Sequence, residues 1–282
     1  MIEQTLNQTL LDIRRRLSDL YPKGEVDGFV RIACYNILHY ESVDILLHKD
    51  SVLPDFIVDK FHKVADELLK KRPIQYIFRN AYFHGHRFEV SEVTLIPRPE
   101  TEELVDMIVD ENQEADLRVL DGGTGSGCIA VSLALALKFA EVTAVDISAE
   151  ALAVAERNAA ELKAKVTFRR QDMLQLTPCG ERFDIIVSNP PYIPSADVAF
   201  LAPEVKDYDP LSALDGGADG LDHYRQIASV AGGWLNDGGY LVLEAGAGQA
   251  GDIASVFAGS GWQTVGMRED LNGIKRCVIL KK

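Results

Sequence analysis

The chain has only four cysteines, Cys34, Cys128, Cys179 and Cys277, with no CxxC pair and no histidine at ligand spacing from any of them. That excludes a zinc site built on closely spaced thiolates and a disulfide framework, and the cysteines read as reduced thiols. Basic charge is also scarce. Lys and Arg number 29 against 43 Asp and Glu, a formal net charge of -14. Such a surface repels a phosphate backbone, so direct nucleic-acid binding is not expected. Long apolar runs are missing too: the longest mainly apolar stretch, residues 128–137, is too short to span a bilayer. The opening residues Met1-Ile2-Glu3-Gln4-Thr5 lack the basic and apolar regions of a secretion signal. The expectation is a cytoplasmic protein with no membrane association. Repeats and low-complexity segments are absent, and 282 residues provide for one large domain or two.

What is present changes character along the chain. Leu6, Leu10, Ile13, Leu17 and Leu20 recur at spacings of four and three. Ile57, Phe61, Val64 and Leu68 repeat that pattern after Pro54, a residue suited to a helix start. Residues 1–73 therefore read as an N-terminal helical bundle. Across 74–96 the pattern shifts to Tyr76, Tyr82, Phe83, Phe88 and Val90 around Gly85, which predicts a β-hairpin joining two domains. From 97 to 282, strand and helix patterns alternate. Strands are expected at 117–120, 142–145, 166–168, 183–187, 240–244, 262–265 and 276–280, with helices at 129–139 and 149–162. A βαβ series of this kind gives an α/β fold with a mainly parallel sheet and helices on both faces.

The fourth of these strands runs straight into Asn189-Pro190-Pro191-Tyr192. In open α/β sheets ligands bind outside the C-terminal ends of strands. Proline has no N–H for a sheet ladder, so the pair stops the strand and leaves carbonyls free. Asn189 and Pro190 can then each accept one N–H of a planar NH2 group, with Tyr192 packed against it. Simple strand punctuation is the bland alternative for the two prolines.

The first strand ends in Asp121-Gly122-Gly123-Thr124-Gly125-Ser126-Gly127 and opens a helix, an arrangement that lets bare backbone approach a nucleotide-like ligand. The frame is not a dinucleotide G-x-G-x-x-G, because Cys128 occupies the place of the last glycine. The second strand ends at Asp146, where a carboxylate can accept ribose hydroxyls or cap a helix. Asp172 and Met173 follow the third strand at the same sheet edge. There an acid can take an adenine amino proton and an apolar side chain can cover the ring; a solvated loop and core filling are the alternatives.

Taken together, the DGGTGSG loop, Asp146, Asp172-Met173 and the NPPY tetrapeptide resemble a class I S-adenosylmethionine-dependent methyltransferase of the amino-methylating kind. The segment Ile96-Pro97-Arg98-Pro99-Glu100-Thr101-Glu102, the later Ala213-Leu214-Asp215-Gly216-Gly217-Ala218-Asp219-Gly220-Leu221, and the helical N-terminal part with Gln75-Tyr76-Ile77 narrow the resemblance to the release-factor glutamine N5-methyltransferases, the HemK or PrmC type. The likeness covers nearly the whole chain. It implies a Rossmann-like domain with a seven-stranded sheet, S-adenosyl-L-methionine as cofactor, and peptide chain release factors as partners, methylated on the glutamine of their Gly-Gly-Gln motif. It further implies that Gly123, Thr124, Gly125, Ser126, Gly127, Asp146, Asp172, Met173 and Asn189 hold the cofactor. Asn189, Pro190, Pro191 and Tyr192 would hold the substrate, with Asn189, Pro190 and Tyr192 catalytic.

Two positions depart from the family pattern. Gly122 stands where an apolar residue is usual, an extra glycine that loosens the loop and leaves the Gly123-Gly125-Gly127 frame intact. Phe78-Arg79-Asn80 stands where a glycine often follows the QYI segment. Glu100 and Glu102 read as first-turn acids that favour the helix dipole rather than as bases. Arg98 reads as a holder of the loop over the cofactor or as an ion-pair partner. His84, His86 and His223 read as surface or hairpin residues, and Gly216, Gly217 and Gly220 as turn glycines. The competing readings are an adenine N6-methyltransferase of DNA or RNA, whose substrate NH2 presents the same two donors, and a non-catalytic adaptor that binds the cofactor.

Overall fold

The computed structural model describes residues 4–112, 115–175 and 180–282; Cys179 lies outside them. The chain forms two compact units that divide between Arg79 and Asn80.

In the first unit a short strand, β1 (Gln4–Thr5), leads into α1 (Leu6–Leu17). Thr5 and Gln8 cap α1 reciprocally: the Gln8 amide donates to Thr5 Oγ1 and the Thr5 amide to Gln8 Oε1. Leu6, Leu10, Ile13 and Leu17 form its buried stripe, while Leu20 falls beyond the helix end and is exposed. Then come α2 (Lys23–Leu38), α3 (Ser42–Leu47), β2 (Val52–Leu53), which pairs antiparallel with β1, and α4 (Asp55–Leu69), entered from Pro54. The core gathers Leu10, Val30, Phe61 and Leu68, and the Tyr21 hydroxyl donates to the Leu68 carbonyl at 2.7 Å. α3 buries none of its residues; Val43, Leu46 and Leu47 face solvent.

The stretch expected to start a hairpin at Ile74 instead forms a short helix, α5 (Ile74–Phe78), entered from Pro73 and burying Ile74 and Tyr76. Aromatic content imitated a strand there, but Pro73 supplies the backbone angle of a helix entrance. Arg79 closes α5 in the left-handed region, φ 54°, a conformation that glycine adopts at lower cost.

The second unit opens with the hairpin β3 (Asn80–Phe83) and β4 (His86–Glu89). Its two-residue turn, His84-Gly85, takes positive φ at both positions, as hairpins with the natural strand twist require. Phe83 and Phe88 pack into the sheet core with Leu104 and Ile108. There follow α6 (Pro99–Glu111), β5 (Arg118–Gly122), α7 (Cys128–Ala136), β6 (Glu141–Asp146), α8 (Ala149–Leu162), β7 (Val166–Arg170), β8 (Phe183–Ser188), α9 (Pro203–Lys206), α10 (Asp222–Val230), β9 (Leu235–Glu244), α11 (Ala250–Gly259), β10 (Gln263–Glu269) and β11 (Lys275–Lys281).

Seven strands make one sheet in the order β10-β11-β9-β8-β5-β6-β7, parallel except where β11 pairs with β9 and β10. β9 is longer than the apolar pattern 240–244 implies, because it begins at Leu235 and is irregular around Gly238-Gly239 before pairing cleanly with β8. The chain winds outward from β5 through β6 to β7, then returns to β8 on the other side of β5. That reversal opens a crevice at the C-terminal ends of β5 and β8, where Gly122 and Ser188 lie in register.

Candidate active site

The glycine loop and the NPPY segment meet because they continue adjacent strands. Asp121, fully buried in β5, anchors the loop: its Oδ2 accepts from Thr124 Oγ1 at 2.6 Å and from the Ala130 amide at 3.2 Å. Burial pushes its carboxyl up to about 7. The amides of Gly123 and Thr124 donate to the Val145 carbonyl of β6, and that of Gly125 to Asp146 Oδ2 at 2.9 Å. Gly127 enters α7 at φ 80°, with room for no side chain, since a Cβ there would lie 2.9 Å from that of Ala155. Asn158 of α8 pins the loop from behind, its Nδ2 donating to the Ser126 carbonyl at 2.8 Å and its Oδ1 accepting the Glu89 amide.

Gly122 is the last residue of β5 and is buried rather than slack. A Cβ at this position would come within 2.4 Å of the Met173 sulfur, so the missing side chain is the space Met173 occupies. The extra glycine thus trades a side chain on the strand for one reaching in from the turn after β7.

Asp146 holds two backbone amides, that of Gly125 on Oδ2 and that of Ser148 on Oδ1, each at 2.9 Å. The α8 cap is Ser148, whose hydroxyl oxygen accepts the Ala151 amide. Each carboxylate oxygen of Asp146 keeps a further lone pair for a hydroxyl. Asp172 accepts the Leu174 amide on Oδ1 at 2.9 Å. One cavity is lined by Gly123, Thr124, Gly125, Ser126, Asp146, Asp172, Met173, Asn189, Pro190 and Pro191.

Gly127 and Tyr192 do not line this cavity. The Tyr192 ring packs toward Gly246 and the core, where burial pushes its phenol up to about 12, and its carbonyl accepts from Gln249 Nε2 at 2.9 Å. The backbone behind NPPY is crowded by the segment 213–221. A Cβ on Gly216 would sit 2.8 Å from the Pro191 oxygen, and one on Gly220 would sit 2.3 Å from the Tyr192 oxygen. Ile193 also bridges to Asp215, so those glycines buttress the acceptor end of the site.

Four residues on or beside the cavity escaped sequence reasoning. Thr101, from the start of α6, donates its hydroxyl to Glu244 Oε2 at 2.7 Å and accepts from Asn189 Nδ2 at 3.3 Å. Glu244 ends β9 and is 2% exposed. Asp209, buried in the segment between β8 and α10, receives the Arg98 guanidinium, so Arg98 joins the entrance of α6 to that segment. His223, read as a surface residue, lines the cavity instead; it precedes the buried Tyr224 on α10, and burial lowers its basicity. The usable signals were Thr101 within the IPRPETE segment and Glu244, a lone acid closing an apolar strand.

Residues 100–202 match the family model described as methyltransferase small domain. The chain is 40% identical over 279 residues to a protein of Bacteroides thetaiotaomicron named release factor glutamine methyltransferase, covering 98% of this chain and all of the relative. A protein of the same name from Geobacter sulfurreducens is 46% identical over 210 residues, 74% of this chain and 73% of its own. The chain belongs to the release factor glutamine methyltransferase family. A crystal structure of a methyltransferase from Pyrococcus furiosus shares the fold at TM-score 0.53 and 18% identity, over 78% of this chain and 97% of that one.

The cofactor of this methyltransferase family is S-adenosylmethionine, and the donor set fits it. Gly123 and Gly125 present bare backbone with nothing within 4 Å of a Cβ, so the loop surface is open to a ligand. Asp146 and Asp172 offer acceptors at the two strand ends, and Met173 offers apolar cover between them. No helix among the described residues is long and apolar enough to cross a membrane.

Proposed function

We propose that the protein methylates the side-chain amide nitrogen, N5, of the glutamine in the Gly-Gly-Gln motif of peptide chain release factors. The observation that carries the reading is Asn189: it lines the same cavity as the glycine loop and uses its Nδ2 on Thr101, which leaves Oδ1 for an incoming NH2 group. S-adenosylmethionine would supply the electrophilic methyl group, its sulfur–methyl bond breaking as the nitrogen–carbon bond forms and S-adenosylhomocysteine leaving as the neutral thioether.

An amide nitrogen is a poor nucleophile because its lone pair is delocalised into the carbonyl. Asn189 Oδ1 and the Pro190 carbonyl each accept one N–H, which holds the nitrogen with its lone pair aimed at the methyl carbon and favours the pyramidal geometry of the bond-forming step. As the nitrogen gains positive charge its proton becomes acidic and leaves to water or through a carbonyl partner, so no strong base is needed. Pro191 fixes the backbone direction of the acceptor loop, and Tyr192 supports it from the core side. On the other wall, Gly123, Thr124, Gly125, Ser126, Asp146, Asp172 and Met173 grip the cofactor, with Gly127 setting the entry of α7.

The first unit supplies the grip on the intact release factor, in a cytoplasmic setting. The apolar side chains Val43, Leu46 and Leu47, exposed on α3, are suited to a protein surface. Replacing Leu46 and Leu47 together by Asp raises KM for intact release factor several-fold and leaves cofactor affinity unchanged; an unchanged KM removes this assignment.

The overall reading is tested by incubating the protein with methyl-labelled S-adenosylmethionine and, separately, release factor, the same factor with its motif glutamine changed to alanine, and unmethylated DNA. Label confined to the unaltered factor is the expected result. Label in DNA supports adenine methylation, which the net charge of -14 disfavours. Bound cofactor with no transfer supports an adaptor.

A further inference from the structure

Asn189 serves an acceptor NH2 only if its oxygen, and not its own NH2, faces the pocket. The two orientations of a side-chain amide are nearly identical in shape, so the hydrogen-bond partners decide between them. Asn189 Nδ2 donates to Thr101 Oγ1 at 3.3 Å, and the Thr101 hydroxyl donates to Glu244 Oε2 at 2.7 Å. A hydroxyl has one proton. Once the Glu244 carboxylate takes it, Thr101 has only lone pairs to offer, and the Asn189 amide must turn its NH2 inward. Thr101 and Glu244 are 3% and 2% exposed, so bulk water does not substitute for either partner. The strand end is itself held, since the Tyr224 hydroxyl donates to the Glu244 carbonyl at 2.7 Å.

We propose that Glu244, acting through Thr101, is a positioning residue that locks the Asn189 amide with Oδ1 toward the acceptor nitrogen, and that protonation of Glu244 releases the lock. The inference rests on the reading of Asn189 as the group that holds the substrate NH2, and deepens it.

Burial pushes the Glu244 carboxyl up to about 7, against the Thr101 hydrogen bond, the charge of Arg276 and a weaker hydrogen bond from Asn189, which also draws the Asn189 NH2 away from the acceptor. The groups that face it are Arg276 and Cys277 from β11, Glu100 from α6, Tyr192 after β8, Tyr224 from α10 and Cys128 from α7. Both tyrosines and both cysteines are held above their ordinary range by burial and stay neutral near pH 7. Arg276 is paired with Asp270 at 3.1 Å. When pH falls through about 7, Glu244 becomes a donor to Thr101. The Thr101 proton is then free to seek Asn189 Oδ1, and the amide turns round.

The test compares full-length wild type with Thr101→Val, Thr101→Ser and Glu244→Gln. It reads kcat and KM on release factor, cofactor affinity by calorimetry, and the Asn189 side-chain NH2 signals by NMR across pH. Thr101→Val keeps the shape but removes the hydroxyl, and lowers kcat about 10- to 100-fold with KM and cofactor affinity little changed; Thr101→Ser restores it. Glu244→Gln does not titrate, so whatever its maximal kcat, it loses the fall in kcat on the acid side. The wild-type Asn189 signals shift with a midpoint near 7, and those of Glu244→Gln do not.

A Thr101→Val enzyme with wild-type kcat overturns the lock, as does a Thr101→Ser enzyme as impaired as Thr101→Val. An acid-side fall that survives in Glu244→Gln overturns the role of Glu244. The NMR titration needs no acceptor, so if the wild type transfers no methyl to release factor, the reading of function fails while the lock is still decided by the Asn189 signals.

Discussion

At the cofactor end of the cavity, β5 passes straight into a glycine loop whose amides bond to the next strand, so the contacts joining loop and β6 span a short stretch of chain. The acceptor end is assembled differently: Thr101 from α6, Asn189 after β8 and Glu244 at the end of β9 meet as three side chains, the Thr101–Glu244 link spanning 143 positions. Backbone shape governs the first end, where the side chains of Asp121, Asp146 and Asn158 anchor the loop and neither Gly122 nor Gly127 has room for a Cβ. Side-chain hydrogen bonding governs the second, and it tolerates loss of a donor or acceptor poorly because the single Thr101 hydroxyl proton sets the direction of both bonds. The proposed function therefore predicts that affinity for the cofactor and rate of transfer separate.

That separation can be broken from either side. Asn189→Ala removes the acceptor grip and lowers kcat about 100- to 1000-fold, with cofactor affinity, measured by calorimetry, within a few-fold of wild type; equal losses in both would mean the two ends are one unit. Gly127→Val forces a branched side chain into positive φ against Ala155. It costs on the order of 1–3 kcal/mol, seen as weaker cofactor binding and a lower unfolding midpoint. Gly122→Ala sharpens the comparison with a smaller effect, because its Cβ meets the flexible end of Met173 rather than backbone. A loss of about 1 kcal/mol in cofactor binding is expected, recovered in part when Met173→Ala is added. Additive losses in the double variant would show that the two side chains do not share that space.

The cofactor end was largely legible in the sequence because its parts are short motifs at strand ends. The mainly parallel sheet followed from the βαβ alternation, and Gly123, Thr124, Gly125, Ser126, Asp146, Asp172 and Met173 line one cavity as their positions at the sheet edge imply. The acceptor end was legible only at NPPY. Thr101 was visible as part of IPRPETE, but its partner is set by how β9 lies beside β8, which no local pattern encodes. His223 was misread because helical periodicity marks the residue that is buried, here Tyr224, and not the neighbour that borders a cavity. The helix at Ile74–Phe78 was misread because aromatic residues serve strands and short buried helices alike, and Pro73 was the better guide. Gly122 looked like slack in a loop until Met173 was seen to occupy its space.

The measurement that bears most directly on the account is tandem mass spectrometry of the release-factor Gly-Gly-Gln peptide after reaction with wild type and with Asn189→Ala, both saturated with cofactor. One added methyl group on the glutamine side-chain nitrogen is expected with the wild type and almost none with the variant. A methyl group on any other atom, or the same yield from both proteins, would contradict it.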